Sequence, residues 1–195
     1  MFKVGITGGI GSGKSTICHF FSLLGIPVFY ADLEAKRIIN ESSVVRSKMI
    51  LHFGKDIYQK NQTIDRKKLA GIIFNSPLLL QKVNAIVHPE VRNYFFDWCN
   101  KQRSPYIIHE AAILFESGFY QIMDFNMLVT APEEDRIARV MKRDQRSMQE
   151  IKERIAKQWP DEEKRKLADY IIKNDNQELI LPVLIELDQK FRKHG

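Results

Sequence analysis

The sequence predicts an α/β fold: a doubly wound, five-stranded parallel sheet with an inserted helical lobe and a helical lid. Three observations predict it. Short apolar runs of strand length recur with helical patterns between them. A glycine-rich turn joins the first run to the first helix. The stretch from Tyr30 to Tyr106 reads as helical throughout and is far too long for one crossover.

In chain order, Phe2-Lys3-Val4-Gly5-Ile6-Thr7 reads as a buried strand, and Ser15 to Leu24 as the helix after it. Ile26-Pro27-Val28-Phe29-Tyr30 is the second strand. Ala31 to Asn40 is helical, and Ser43 is placed to cap a helix running to Phe53. Asp65 caps Arg66 to Phe74. Ser76-Pro77 opens another helix, with serine at the cap and proline at the first helical position. His88-Pro89 repeats that arrangement ahead of Glu90 to Lys101, with His88 as the cap. Strands follow at Tyr106 to His109 and Phe125 to Val129. Pro132 precedes a helix from Glu133 to Arg143, and Asp144 to Ser147 forms a turn. Ser147-Met148-Gln149-Glu150 fits a capping box for a helix to Gln158, which Pro160 closes. Tyr170 to Lys173 is the fifth strand, and Glu178 to Arg192 the terminal helix. The expected organisation is a core of residues 1–32, 103–135 and 158–195, a helical lobe at 33–102, and a basic lid at 136–157.

Composition sets limits. With 195 residues and 44% hydrophobic content, the chain can bury a real core and does not read as disordered. Cys18 and Cys99 lack metal-ligand spacing and read as reduced packing residues. No signal pattern precedes the first strand and no apolar run spans a bilayer, so a cytoplasmic protein without a membrane partner is expected. The net charge of +6 is concentrated between Arg136 and Lys157. Such a run is a solvated helix face, a nucleic-acid contact, or a set of cations closing over phosphates. Aromatic residues do not interleave it, Trp159 lying just beyond, which counts against nucleic acid.

Gly8-Gly9-Ile10-Gly11-Ser12-Gly13-Lys14-Ser15 matches G-x-x-x-x-G-K-[ST], between a strand and a helix as that motif requires. Glycines let successive N–H groups curl inward toward phosphate oxygens, and the helix N-terminus adds its positive dipole end. The fold is therefore expected to be of a phosphate-loop type, the nucleoside-kinase type among them. Gly9, Ile10, Gly11, Ser12, Gly13, Lys14, Ser15 and Thr16 form the nucleotide-binding run. Lys14 is expected to reach the β- and γ-phosphates of ATP, and the Ser15 hydroxyl to ligate Mg²⁺.

Asp32 follows the second strand, on the rim where doubly wound sheets bind ligands. It is a proton acceptor, a magnesium ligand or a helix cap. Glu110 follows the third strand and either orients metal-bound water or is a solvated charge; the role of Glu116 is open. Arg139 and Arg143, four apart, share one helix face and either neutralise a transferring phosphoryl group or pair with surface acids. Arg154 and Lys157 lie across the hairpin. Phe115, Phe119 and Tyr120 line a pocket for a flat group or belong to the core.

The ordered set of segments resembles the dephospho-coenzyme A kinase family from position 4 to 174. Val4 to Ser15 resembles its phosphate loop, with the paired glycine, and Tyr30-Ala31-Asp32 the acidic end of its second strand. Ile86-Val87-His88-Pro89-Glu90-Val91-Arg92 resembles its His-Pro segment, and Leu114-Phe115-Glu116 the end of its "PLLFE" segment. Arg139-Val140-Met141-Lys142-Arg143 is similar to its lid entry, Arg154-Ile155-Ala156-Lys157-Gln158 to its "RI..Q" stretch, and Ala168 to Asn174 to its fifth strand. Glu110 stands where the family usually has Asp, a longer arm for the same carboxylate, and Ala112 where it usually has Pro.

The resemblance implies transfer of the γ-phosphoryl of ATP to the ribose 3′-hydroxyl of dephospho-coenzyme A, with Mg²⁺ bridging phosphate oxygens. It implies Asp32 as the group orienting and deprotonating the hydroxyl, Lys14 holding the phosphates, and Arg139 and Arg143 stabilising the transition state. His88 and Arg92 would bind the acceptor within the lobe, and Asn174 would lie near the nucleotide base. A small-molecule substrate, no nucleic acid and a monomer or weak oligomer are expected. A nucleoside monophosphate kinase is the nearest rival, but an acceptor phosphate calls for arginines where Asp32 stands. A nucleotide-dependent switch or nucleic-acid-binding protein uses the same loop and basic run, and predicts salt-sensitive polynucleotide affinity.

Overall fold

The computed structural model describes residues 1–73 and 76–195. Two compact units divide the chain, one of residues 1–30 and 102–195 and one of residues 31–101.

The first unit is built on five parallel strands: β1 (Phe2–Thr7), β2 (Val28–Tyr30), β3 (Tyr106–Glu110), β4 (Phe125–Thr130) and β5 (Tyr170–Lys173). Their order is β2-β3-β1-β4-β5. β1 is central, with Ile6 in register with Glu110 on one side and Met127 on the other. β2 is shorter than expected: Pro27 has no N–H to place in a ladder, and its carbonyl accepts from Ile108 N instead.

Helix α1 (Lys14–Leu23) and the last helix of the chain, Ile180–Arg192, cover one sheet face. The period-2 positions Val4 and Ile6, Tyr106 and Ile108, Met127 and Val129 meet Ile17, Cys18 and Phe21 from α1 and Leu184, Leu187 and Phe191 from the last helix. Both cysteines are buried, and neither forms a disulfide among the described residues. Burial pushes the Cys18 thiol up, which keeps it protonated and inert. The Tyr106 hydroxyl donates to Asp188 Oδ1 at 2.6 Å, and Asp188 Oδ2 accepts from Arg192 Nε at 2.8 Å. This buried carboxylate fixes the terminal helix to β3. On the other sheet face, Gly5 leaves room for Leu114 and Asn126, which a Cβ would meet at 2.7 and 2.9 Å. His109, 1% exposed, stacks between Phe29 at 5.4 Å and Phe119 at 4.9 Å. Phe115 and Phe119 are thus core residues and do not line a pocket for a flat group.

The second unit is helical: α2 (Ala31–Glu41), α3 (Ser43–Phe53), α4 (Arg66–Ile73) and α5 (Pro77–Cys99). Ser42 caps α3 by accepting from Val45 N, so Ser43 is the first helical residue and not the cap. Asp65 caps α4 by accepting from Lys68 N at 3.0 Å; Phe74, the expected last residue, lies outside the described residues. Ser76 and Pro77 open α5 as expected. Pro89, however, lies inside one continuous helix, so His88 is not a cap. Proline there removes one helix bond, but the buried stripe Val83, Ile86, Val87, Val91 and Phe95 continues across it and holds the two halves in line.

Back in the first unit, β4 leads into α6 (Glu133–Asp144) and α7 (Met148–Ile155). Gln145 turns the chain at φ 52°, and Ser147 and Glu150 complete the capping box. α7 ends before Gln158, and Pro160 opens a helix the sequence reading missed, α8 (Asp161–Arg165). The terminal helix, Ile180–Arg192, is α9, beginning two residues later than expected. Lys164 of α8 is fully buried and pairs with Glu116 Oε1 at 3.4 Å. The same oxygen accepts from Trp159 N at 3.1 Å.

Two stability predictions follow from buried charge. Burial holds His109 down at about 3, whereas an unfolded histidine titrates near ~6.5. Between these values the unfolded chain takes a proton that the folded chain refuses, so stability is full above ~6.5 and falls as pH drops. Urea unfolding at pH 7 and pH 5 should show about 2 kcal/mol more loss in the parent than in His109→Phe; equal losses would mean that the group does not titrate as its burial demands. Separately, Glu116→Ala strands the buried Lys164 charge and should cost roughly 3 kcal/mol, read as a fall of about 6–12 °C in thermal midpoint. Glu116→Leu with Lys164→Met should recover most of it, and an unaltered midpoint in the single variant would show that the pair contributes nothing.

Candidate active site

β1 delivers the chain to the carboxyl edge of the sheet between two neighbours, and the residues that follow must reverse into α1 at once. The turn is possible because Gly11 and Gly13 adopt φ of 80° and 101°, open to glycine at little cost. Gly13 is doubly required, since a Cβ there would strike the Asn174 side-chain amide. α1 begins at Lys14, Thr16 N and Ile17 N donating to Gly13 O at 3.1 and 3.2 Å, and its N-terminus carries the positive end of the helix dipole. Ser15 and Thr16 are exposed at that end. This is a ready anion site.

Lys14 is buried, and its ammonium donates to the Gly8 carbonyl at 2.8 Å and the Gly9 carbonyl at 3.3 Å. It spans the mouth of the loop. Ser12 Oγ is fully buried without a hydrogen-bond partner among the described residues. Glu110 sits at the end of β3, buried, opposite Tyr30 of β2 and Ile6 of β1. After burial itself, the Glu110 charge raises the Cys18 thiol while that of Lys14 lowers it, which places the two charges in one neighbourhood.

The residues after β5 close the loop from another side. Asn174 Nδ2 donates to Ser12 O at 2.8 Å, and Asn174 O accepts from Arg139 Nη2 at 3.0 Å. Arg139 is thereby linked to the phosphate loop through Asn174. Its Nη1 is buried and makes no hydrogen bond among the described residues. Arg143, one turn on, is a different case. Its side chain is 61% exposed and paired to the adjacent Asp144 at 2.7 Å, so α6 presents it to solvent.

Two residues that sequence reasoning did not single out as site residues hold the crest of the loop. Arg136 Nε donates to Ile10 O at 3.1 Å, and Gln158 Oε1 accepts from Ile10 N at 2.9 Å. The sequence shows Arg136 as one cation of the basic run, and Gln158 as the end of a helix and part of a resemblance. Their separations from Ile10, 126 and 148 residues, hide the contact from any local pattern.

The remaining expected site residues belong to the second unit. Asp32 lies in the first turn of α2, two residues beyond the end of β2; α2 begins at Ala31, so Asp32 is not the cap. His88 and Arg92 are one turn apart on α5. His88 is half-buried and held below its ordinary value by desolvation, and Arg92 lies over the Phe96 ring at 6.0 Å.

Comparison with known proteins agrees along the whole chain. The dephospho-CoA kinase (CoaE) family model matches residues 2–179. The dephospho-CoA kinase of Salinibacter ruber is 41% identical over 180 residues, 90% of this chain and 89% of that protein. That of Acinetobacter baylyi is 36% identical over 195 residues, all of both chains. Among solved structures, the dephospho-CoA kinase from Campylobacter jejuni superposes with a TM-score of 0.67 at 30% identity, covering 98% of this chain and 97% of that one. Shikimate kinase from Acinetobacter baumannii shares the fold at a TM-score of 0.55 and 15% identity, covering 100% and 95%. Matched across nearly its full length, this chain belongs to the dephospho-CoA kinase family, ATP-using enzymes that phosphorylate dephospho-CoA in the final step of coenzyme A biosynthesis.

Proposed function

We propose that the loop Gly8–Ser15 grips the β- and γ-phosphates of ATP while Asp32 activates the ribose 3′-hydroxyl of dephospho-CoA. The observation that carries this is Lys14, whose ammonium is held at the loop mouth beside the first turn of α1. Gly9, Ile10, Gly11, Ser12 and Gly13 supply the curled backbone, and Thr16 and Asn174 flank it.

In the proposed step, the acceptor oxygen attacks the γ-phosphorus, the bond to the β-phosphate oxygen breaks, and the hydroxyl proton passes to Asp32. Little covalent chemistry is left to the protein, so rate comes from alignment and charge. Arg139 suits the developing charge because one of its donors is buried and uncommitted. Arg143 reaches the site only by leaving Asp144. His88 and Arg92 bind the acceptor within the helical unit. The Ser15 hydroxyl at the start of α1 fits Mg²⁺, which commonly takes one or two protein oxygens beside substrate phosphates and would offset their charge. Of the eight cations in the basic run, Arg136, Arg139, Arg143 and Arg146 are held by Ile10, Asp161, Asn174, Asp144 and Glu150, which reduces the charge left for a polynucleotide and favours a small-molecule partner.

Lys14→Ala should lower turnover at least about a hundredfold with the thermal midpoint within a few degrees of the parent; normal turnover would remove the loop from the reaction. Asp32→Asn should reduce kcat by about 10²–10⁴-fold and leave the KM for ATP within about threefold, and an unchanged kcat would exclude Asp32 as the base. Both are read as ADP release with magnesium-ATP and dephospho-CoA, against adenosine monophosphate and no acceptor.

A further inference from the structure

Ile10 is held by the lid through all three of its groups. Its N–H is bound by Gln158, its carbonyl by Arg136, and its side chain packs with Ile137, Val140, Ile151 and Ile155, the small apolar core between α6 and α7. The two polar partners come from opposite ends of the lid: Arg136 is on the first turn of α6, and Gln158 follows α7. Both are anchored in turn. Gln158 Nε2 donates to Ala112 O at 3.2 Å, on the segment that follows β3. Arg136 is 7% exposed and pairs with Asp161 at 3.5 Å, and its guanidinium lies where a Cβ on Gly9 would stand. The next residue after Gln158 is fixed by the buried Glu116–Lys164 pair through Trp159 N.

The two peptide units that meet at the Ile10 Cα are each held, Gly9–Ile10 at its N–H and Ile10–Gly11 at its carbonyl, so neither can rotate without breaking its bond. The neighbouring peptides of the loop, on which phosphate binding depends, inherit that orientation. We propose that Gln158 and Arg136 are positioning residues for phosphoryl transfer, setting the phosphate loop through the two peptide units on either side of the Ile10 Cα and so coupling its geometry to the lid. Neither residue touches the reacting atoms. The proposal rests on the reading of Gly8–Ser15 as the phosphate cradle.

Trp159 provides a reporter, since it is 45% exposed beside Gln158 and Trp98 is the chain's other tryptophan. In a Trp98→Phe background, adding ATP with magnesium should change Trp159 emission. Gln158→Met keeps side-chain length but loses the bond to Ile10 N, and Arg136→Met likewise loses the bond to Ile10 O. Each should lower kcat about tenfold or more and raise the KM for ATP several-fold, because loss of alignment acts on the nucleotide end. The KM for dephospho-CoA should stay within about twofold and the thermal midpoint of Gln158→Met within a few degrees, while the Trp159 response at saturating ATP should be lost. Unchanged kcat and KM for ATP in both variants would overturn the proposal, as would a Trp159 response that persists in both or is missing from the parent. A Lys14→Ala enzyme that keeps its turnover would overturn the cradle assignment and this proposal with it. An inactive Lys14→Ala beside normal Gln158→Met and Arg136→Met enzymes would overturn this proposal alone.

Discussion

β1 lies between β3 and β4, bonded on both flanks, and the arrangement of the first unit follows from that. A strand with two parallel neighbours can end only at the carboxyl edge, so its loop emerges beside those of β3 and β4. The loop after β1 then becomes the place where distant segments converge. Asn174 arrives after β5, Arg136 after β4 and Glu110 at the end of β3. The apolar face of the same strand, Val4 and Ile6, packs with α1 and α9. Fold stability and loop placement therefore depend on one strand.

Charge in this unit is arranged by pairing. The basic run suggests a cationic surface when counted along the sequence, yet in the structure Arg136, Arg139, Arg143 and Arg146 each meet a carboxylate or a carbonyl. The exposed pairs among them add little to stability, on the order of a few tenths of a kcal/mol. The Lys164–Glu116 pair differs because Lys164 has no contact with solvent. An ion pair of that kind is a weak source of net stability but a costly one to break. It fixes where the chain returns from the α6–α7 hairpin.

What was legible in the sequence was local. The phosphate loop, the Ser147–Glu150 capping box and the Ser76-Pro77 helix start are patterns within a few residues, and the structure places each where its spacing requires. Proline misled in one case because its meaning depends on context: Pro89 looks like Pro77, but a continuous buried stripe carries α5 through it. The sequence reading places the α3 cap at Ser43, one residue late, and the bond from Val45 N makes Ser42 the cap. α8 was missed because its five residues are too few to show a period. Among the site residues, the motif exposed Lys14 and the glycines, whereas Arg136 and Gln158 act across more than a hundred residues and leave no periodic trace.

Among the described residues, the α6–α7 hairpin has a core of Ile137, Val140 and Ile151, completed by Ile155 and by Ile10 from the loop. So few apolar contacts give α6 and α7 little reason to persist as a pair without the surface that Ile10 supplies. A helix pair with so small a core of its own takes part of its cohesion from the loop it packs on. The order of the hairpin and the order of the loop are therefore linked through one residue, Ile10, and a change that loosens either is felt by the other.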